Sequence, residues 1–445
     1  MPPVFGGRSV VNLEHGDRAQ GLEKGEQVED DIPPGSWNVN GKRQWHYQVS
    51  ESDWNDWRWQ FRNRITTVEQ LERFVPLSEQ EKTQLRLVSQ KYPFSITPYY
   101  LSLINFDDPH DPVRRQSFAD FDEVAMANYG EADPLDERDD SPVPGLVHRY
   151  PDRALFVITN ICPLLCRHCT RKREWEDGNW VRPKAELDAC IDYIRRTKSI
   201  RDVIISGGDP LTLSTPRLEE IVRKLRAIDH LEIIRFGTRF PVVLPQRIDD
   251  EFCEMLDKYG PIWLNTHFNH PNEVTSEAGR AVRNLLRAGV PVNNQSVLLK
   301  GINDSVETQL NLVHALMRIR VRPYYLFHAD NVRGTEHLRT SVWKGIEIIE
   351  GLRGHTSGLA VPTFVVDVPG GGGKIPLQPN YLLSMTDDEL ILRNYEGLVF
   401  RYRNPRPESA SVRGGAASPK EETARPLVEV MTARVQRRRE TANKA

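Results

Sequence analysis

Hydrophobic and polar positions change rhythm along the chain. Residues 1 to about 40 mix Gly, Pro, Asp and Glu without hydrophobic periodicity, which predicts a disordered amino-terminal tail. Between about Trp45 and Tyr129, segments such as Trp54-Asn-Asp-Trp-Arg-Trp and Glu69-Gln-Leu-Glu-Arg-Phe space their apolar residues as packed helices do, giving a helical unit over 41–145. From about Arg149 the rhythm becomes short β-branched runs separated by amphipathic stretches. The predicted strands are Ala154 to Thr159, Asp202 to Ser206, Glu232 to Phe236, Ile262 to His267, Val292 to Leu298, Arg322 to His328 and Thr363 to Val368. Helical stretches such as Ala185 to Thr197 and Arg217 to Ile228 lie between them. Thr215 is the expected N-cap of the latter, with Pro216 at its first position, and Asp304 followed by Glu307 starts another helix. Alternation of this kind makes a parallel sheet, and six or seven repeats fit an incomplete or full (β/α) barrel. The expected fold class is therefore α/β: a partial barrel over 146–380, a short extension packing on it over 381–403, and a mostly disordered tail over 404–445. Reactive groups of such barrels stand at the carboxyl ends of the strands.

Composition narrows the function classes. A net charge of -3 gives no electrostatic reason to invoke nucleic acid or an anionic membrane. No run approaches the roughly 18 apolar residues of a membrane span, and the start lacks the layout of a secretory signal. Five cysteines are too few for a disulfide scaffold, and three of them, Cys162, Cys166 and Cys169, crowd one short segment. That usage fits inorganic chemistry in a reducing cytoplasm.

The segment Thr159-Asn-Ile-Cys162-Pro-Leu-Leu-Cys166-Arg-His-Cys169 follows the first predicted barrel strand. Its Cys-x3-Cys-x2-Cys spacing places three thiolates on one compact loop, suited to three irons of a 4Fe-4S cube. One iron is left open for a small molecule. Structural zinc would require a fourth Cys or His at regular spacing; His168 is the nearest, while Cys190 and Cys253 lie inside helical patterns as packed thiols.

This triplet after the first strand resembles the radical S-adenosylmethionine (SAM) superfamily, in which the open iron is chelated by SAM. Ser206-Gly207-Gly208-Asp209, at the end of the next strand, is similar to that superfamily's glycine-rich contact to the methionine amino group.

The other unusual segment is Asp367-Val-Pro-Gly370-Gly-Gly-Gly373-Lys374-Ile-Pro376. A phosphate-binding P-loop is excluded, because Val368 stands where its first glycine is needed and Ile375 where Ser or Thr is needed. Pro376 also argues against a helix starting there. Four glycines let the backbone approach a cofactor and release a lysine anchored beside it, as a Schiff-base lysine requires. The bland alternative is a mobile surface loop with a solvated lysine.

Residues from about Trp54 to Tyr402 resemble the lysine 2,3-aminomutase family. The resemblance is carried by Leu146-Val-His-Arg-Tyr-Pro-Asp-Arg153, Trp263-Leu-Asn-Thr-His-Phe-Asn-His-Pro271, Asn294-Gln-Ser-Val-Leu-Leu-Lys-Gly-Ile-Asn-Asp304 and Lys344-Gly-Ile-Glu-Ile-Ile-Glu-Gly-Leu-Arg-Gly-His-Thr-Ser357. It implies a radical SAM barrel that also carries pyridoxal phosphate (PLP), with Lys374 forming the Schiff base. By the same resemblance Arg149, Arg153, Asn293 and Gln295 surround the PLP phosphate and ring, Arg171 holds the substrate carboxylate, and Asp330 and Asp367 grip the distal ammonium of lysine. The implied reaction passes one electron from the cluster to SAM, takes a hydrogen from C3 of the amino acid and moves its amino group from C2 to C3. An electron donor such as flavodoxin or ferredoxin and a homo-oligomer are implied as well.

Physical chemistry bears on those roles. A guanidinium suits a carboxylate or phosphate, and two acids at the ends of successive strands repel unless a cation sits between them. Asp330 plus Asp367 speak against glutamate and for L-lysine, with arginine as runner-up. Phe327 and His328 depart from the family's usual residues and mark an altered side-chain pocket. Ser305 stands where the family often has a zinc-binding cysteine, and no cysteine follows Cys253, so no zinc is expected. A non-catalytic iron-sulfur sensor would leave Lys374, Arg171 and the acid pair without work.

Overall fold

The computed structural model describes residues 49–126 and 128–404. The tail expected over 1–40, the one expected over 404–445 apart from Asn404, and the part of the helical unit before residue 49 lie outside the described residues. Two compact units divide at Pro379.

The larger unit contains a nine-stranded sheet in sequential order: β1 (Leu146–Tyr150), β2 (Arg153–Val157), β3 (Asp202–Ser206), β4 (Ile233–Gly237), β5 (Ile262–Thr266), β6 (Val292–Leu298), β7 (Arg322–His328), β8 (Thr363–Val368) and β9 (Gly373–Pro376). From β2 to β8 every pairing is parallel, whereas β1 and β9 close the two edges antiparallel. The main helices are α1 (Glu79–Lys91) before the sheet, then α2 (Lys184–Arg196), α3 (Thr215–Arg226), α4 (Asp250–Lys258), α5 (Ser276–Arg287), α6 (Val306–Arg318) and α7 (Val342–Leu352) between its strands. The seven parallel strands are those expected from the β-branched runs. The expected class, α/β with an incomplete barrel of parallel strands, is what these elements form. No described helix is long and apolar enough to cross a membrane.

Side chains of a strand alternate between two faces. In β6, Val292, Asn294, Ser296 and Leu298 are buried while Asn293, Gln295 and Val297 are half-buried. In β3, Val203 and Ile205 are buried and Ser206 is left half-buried. This alternation turns one face of each strand into the core and leaves the other, with Ile204 and Ser206 of β3 and Gln295 and Val297 of β6, to line a cavity.

Two expected helix caps are corrected, and the bland alternative for Lys374 does not hold. The helix over 215–226 has Ser214, in extended conformation, at its cap position, so Thr215 is its first residue and Pro216 its second. Helix α6 is capped by Ser305, whose hydroxyl accepts from the Thr308 N–H; Asp304 instead accepts from the Gly301 N–H at 2.9 Å. Lys374 does not sit in a free loop after the last strand. The chain turns back through the glycines and Lys374 pairs opposite Asp367 in β9.

The amino-terminal segment forms α1 and short helices including Pro98–Leu101, Pro112–Ser117 and Asp122–Ala125. The second unit, by itself, holds a three-stranded antiparallel sheet of β10 (Leu382–Met385), β11 (Glu389–Arg393) and β12 (Val399–Arg403).

Candidate active site

The cysteine loop takes its shape from the strand beside it. A Cβ on Gly207 would lie 2.1 Å from the Thr159 carbonyl oxygen, and one on Gly208 2.4 Å from the Asn160 carbonyl carbon. Only glycines let the two loops touch, and Gly208 N–H then donates to Thr159 O at 2.5 Å and Asp209 N–H to Ile161 O at 2.8 Å. The carboxylate of Asp209 is buried and accepts from Thr238 Oγ1 and the Arg239 N–H, both at 2.7 Å. Burial pushes its carboxyl up to about 7. Gly207, Gly208 and Asp209 therefore fix one loop against the next, while Ser206 and Gly207 also face a cavity.

Within the loop, Arg167 is wholly buried, and its guanidinium donates to Glu123 Oε1 at 2.8 Å and Oε2 at 2.6 Å. Lys172 joins the same carboxylate at 2.7 Å and donates to Gly334 O at 2.7 Å. Burial alone would raise the Glu123 carboxyl, but these two cations outweigh it and hold it near 2. Removing one partner of such a cluster would strand a buried charge.

A cavity of about 350 Å³ is lined by Cys162, Cys166 and Cys169, by Arg171, Ser206 and Asp209, and by Gln295, Asp330, Asp367 and Lys374. Burial raises the thiols of Cys162 and Cys169, the latter to about 11. Arg239 Nη1 donates to Cys166 Sγ at 2.8 Å. Among the described residues no three His, Cys, Asp or Glu side chains converge on a point that could hold one metal ion. Three thiolates on a 4Fe-4S cube bind three different irons, so they stand further apart than ligands of a single ion.

Across the cavity, Lys374 Nζ donates to Asp367 Oδ2 at 2.7 Å and lies 5.5 Å from the centre of the Phe327 ring. Its backbone N–H donates to Tyr150 Oη at 3.0 Å, which ties β9 to the end of β1. Asp367 Oδ1 is buried without a hydrogen bond, with Arg149 Nη1 3.6 Å away. Burial, then the negative charge of Asp367, pushes the Asp330 carboxyl up to about 7.

Arg171 Nε and Nη2 donate to the two oxygens of Glu137 at 3.0 and 2.6 Å, and Nη1 donates to Gly207 O at 3.3 Å. Arg173 holds the same carboxylate at 2.8 Å. Burial would raise Glu137, yet Arg171 and Arg173 hold it near 2. Arg171 thus reaches the cavity with one edge of its guanidinium already occupied.

Three other sequence-selected residues do not line the cavity. Arg149 is spent on Asp140 at 2.8 Å and on the Leu135 carbonyl. Arg153 lies 3.9 Å above the Tyr150 ring and pairs with Asp152 at 3.0 Å, and Asn293 donates to Asn265 Oδ1 at 3.2 Å. His328 Nε2 is hydrogen bonded with the Thr340 carbonyl at 3.0 Å, and its ring packs edge-on against Phe364. Sequence reasoning missed Arg239, Glu137, Glu123 and His267. Burial and the Arg239 charge push His267 down to about 4, so it lines the cavity as a neutral ring. Arg239 and His267 had a usable signal, since Arg239 lies three residues past the strand predicted to end at Phe236 and His267 ends the strand predicted from Ile262. The two glutamates had none.

Residues 156–313 match the family model for the radical SAM superfamily, and 349–440 match that for lysine-2,3-aminomutase. The chain is 55% identical over 367 residues to an L-lysine 2,3-aminomutase of Clostridium subterminale, covering 82% of this chain and 88% of that protein. It is 54% identical over 361 residues to the L-lysine 2,3-aminomutase of Bacillus subtilis, covering 81% and 76%. A glutamate 2,3-aminomutase of Clostridioides difficile is 45% identical over 352 residues, covering 79% and 83%.

Proposed function

The chain belongs to the lysine 2,3-aminomutase family of radical SAM isomerases, and from that premise we propose that it converts L-lysine to β-lysine with PLP anchored on Lys374. The family brings a 4Fe-4S cluster and SAM, and in this reading Cys162, Cys166 and Cys169 hold the cluster. The observation that carries the proposal is the single cavity shared by those thiols, Lys374 and the Asp330–Asp367 pair. When bound, the cluster and SAM supply hydrogen-atom abstraction, and PLP carries the migrating nitrogen.

The chain's own residues supply binding, orientation and charge. The donor set fits the cluster because the three thiols line one cavity, are partly buried there, and one of them already accepts from a cation. A lysine amine bonded to PLP can no longer neutralise Asp367 as it does now at 2.7 Å. Asp367 then has a buried carboxylate with Oδ1 open, beside an Asp330 that ionises readily only next to a positive charge. That is the environment a distal substrate ammonium satisfies. Arg171, gripped on its Nε edge by Glu137, has Nη1 and Nη2 protons left for the substrate carboxylate. In this reading Arg149, Arg153, Asn293 and Gln295 would hold the PLP phosphate and ring; Gln295 lines the cavity, and Arg153 stacks on Tyr150, whose hydroxyl accepts from the Lys374 N–H. A flavodoxin- or ferredoxin-type donor in the cytoplasm would reduce the cluster.

The test is anaerobic reconstitution with iron, sulfide, PLP, SAM and a reductant, followed by separate assays of lysine, arginine and glutamate for the β-amino isomer. Lysine should turn over fastest, and Lys374→Ala should abolish the PLP absorbance band. Turnover of arginine or glutamate in preference to lysine would overturn the substrate; an unchanged PLP band in the variant would overturn the anchor.

A further inference from the structure

We infer that Arg239 is a positioning residue for the iron-sulfur cluster, which sets the cluster's reduction potential through a fixed hydrogen bond to the sulfur of Cys166. The inference rests on the reading that Cys162, Cys166 and Cys169 bind the cluster. Arg239 follows β4 and is almost wholly buried, and every nitrogen of its guanidinium is engaged. Nη1 donates to Cys166 Sγ at 2.8 Å, Nε to His267 O at 3.0 Å, and Nη2 to Gln116 Oε1 at 2.6 Å, to Glu273 Oε1 at 2.7 Å and to Tyr100 Oη at 3.3 Å. Its backbone N–H is held by Asp209 at 2.7 Å.

The arrangement exceeds what burying an arginine requires. Glu273, wholly buried, could neutralise the guanidinium alone. Instead the plane is pinned from the amino-terminal helices and the segment after β5 together, with its backbone held by the β3 loop, so that one donor points at a cavity-lining sulfur. Hydrogen bonds to ligand sulfurs and nearby positive charge stabilise the added electron of a reduced cluster and raise its potential. A flexible surface arginine would lose much of this effect to solvent, whereas a pinned one does not have to reorganise when the electron arrives.

The experiment is a redox titration of the reconstituted full-length protein without SAM, PLP or amino acid, following the electron paramagnetic resonance signal of the reduced cluster. The proteins compared are wild type, Arg239→Gln, Arg239→Lys and Tyr100→Phe. At the wild-type midpoint, the ratio of reduced to oxidised cluster should fall about tenfold in Arg239→Gln, equal to ~59 mV for one electron. It should fall several-fold in Arg239→Lys, whose single ammonium cannot reach the sulfur while staying on Glu273. Tyr100→Phe removes a neutral partner and leaves the sulfur contact, so its ratio should match wild type. Ratios within twofold of wild type in both arginine variants would overturn the inference. If Arg239→Gln does not retain iron, Arg239→Lys decides on the same criterion. A wild-type protein that forms no cluster would instead refute the functional reading beneath it.

Discussion

The cysteine loop and the glycine ribbon that carries Lys374 face one cavity, yet they are held in opposite ways. The loop is gripped from within: Arg167 and Lys172 bury their charges on Glu123, two glycines of the neighbouring turn touch its backbone, and Arg239 reaches its middle sulfur. The ribbon is a glycine turn leading into an edge strand: Gly370, Gly371 and Gly373 adopt positive φ, a Cβ on Gly370 would meet nothing within 4 Å, and the Lys374 side chain donates to Asp367 while its backbone N–H donates to Tyr150. The difference follows the two tasks. A cluster must stay where it is assembled, whereas a lysine that leaves its cofactor each time substrate arrives needs a backbone that costs little to move.

The largest expected effects separate the two regions outright. Cys166→Ala and Lys374→Ala should each lower isomerase activity by roughly 10⁴-fold or more. Cys166→Ala should lose the iron signal and retain PLP absorbance, and Lys374→Ala should do the reverse. Loss of both signals in either variant would break the comparison. Next comes the buried network. Glu123→Gln leaves Arg167 and Lys172 without their counter-charge and should destabilise the fold by about 3–5 kcal/mol in urea unfolding, with weaker iron retention. A loss below about 1 kcal/mol would mean that the loop is fixed by other contacts.

The acid pair gives a smaller, pH-dependent effect. With the Asp330 carboxyl at about 7, it is protonated as pH falls through that value and no longer attracts a cation. Lysine affinity should therefore weaken by up to about tenfold per pH unit below 7 and level off above it, and Asp330→Asn should flatten the profile. The smallest effect belongs to the ribbon: Gly370→Ala should cost only about 1 kcal/mol, the strain of positive φ, while slowing turnover more than it changes stability.

Much of this was legible in the sequence. The seven parallel strands announced themselves because each carries a run with β-branched or aromatic residues, and four of them begin and end where those runs do. The edge strands did not. β1 contains His148, Arg149 and Tyr150, and β9 has Lys374 between glycine and Ile375, so neither carries an apolar run. The caps of α3 and α6 were misplaced by one residue because Ser, Thr and Asp compete at adjacent positions there. The cysteine triplet and the glycine-lysine ribbon are local patterns and could be read directly. Arg239 with Cys166, Arg171 with Glu137 and Arg167 with Glu123 are pairs made by the fold across 73, 34 and 44 residues, and spacing holds no trace of them.

The central claim, that cluster and lysine serve one substrate in one cavity, is tested most directly by isotope transfer. The reconstituted protein is given lysine deuterated at C3, and the recovered SAM is examined by mass spectrometry for deuterium at its 5′ carbon. The account predicts deuterium there in the wild-type protein and none in Lys374→Ala. Formation of β-lysine with no deuterium in SAM, or equal labelling without Lys374, would contradict it.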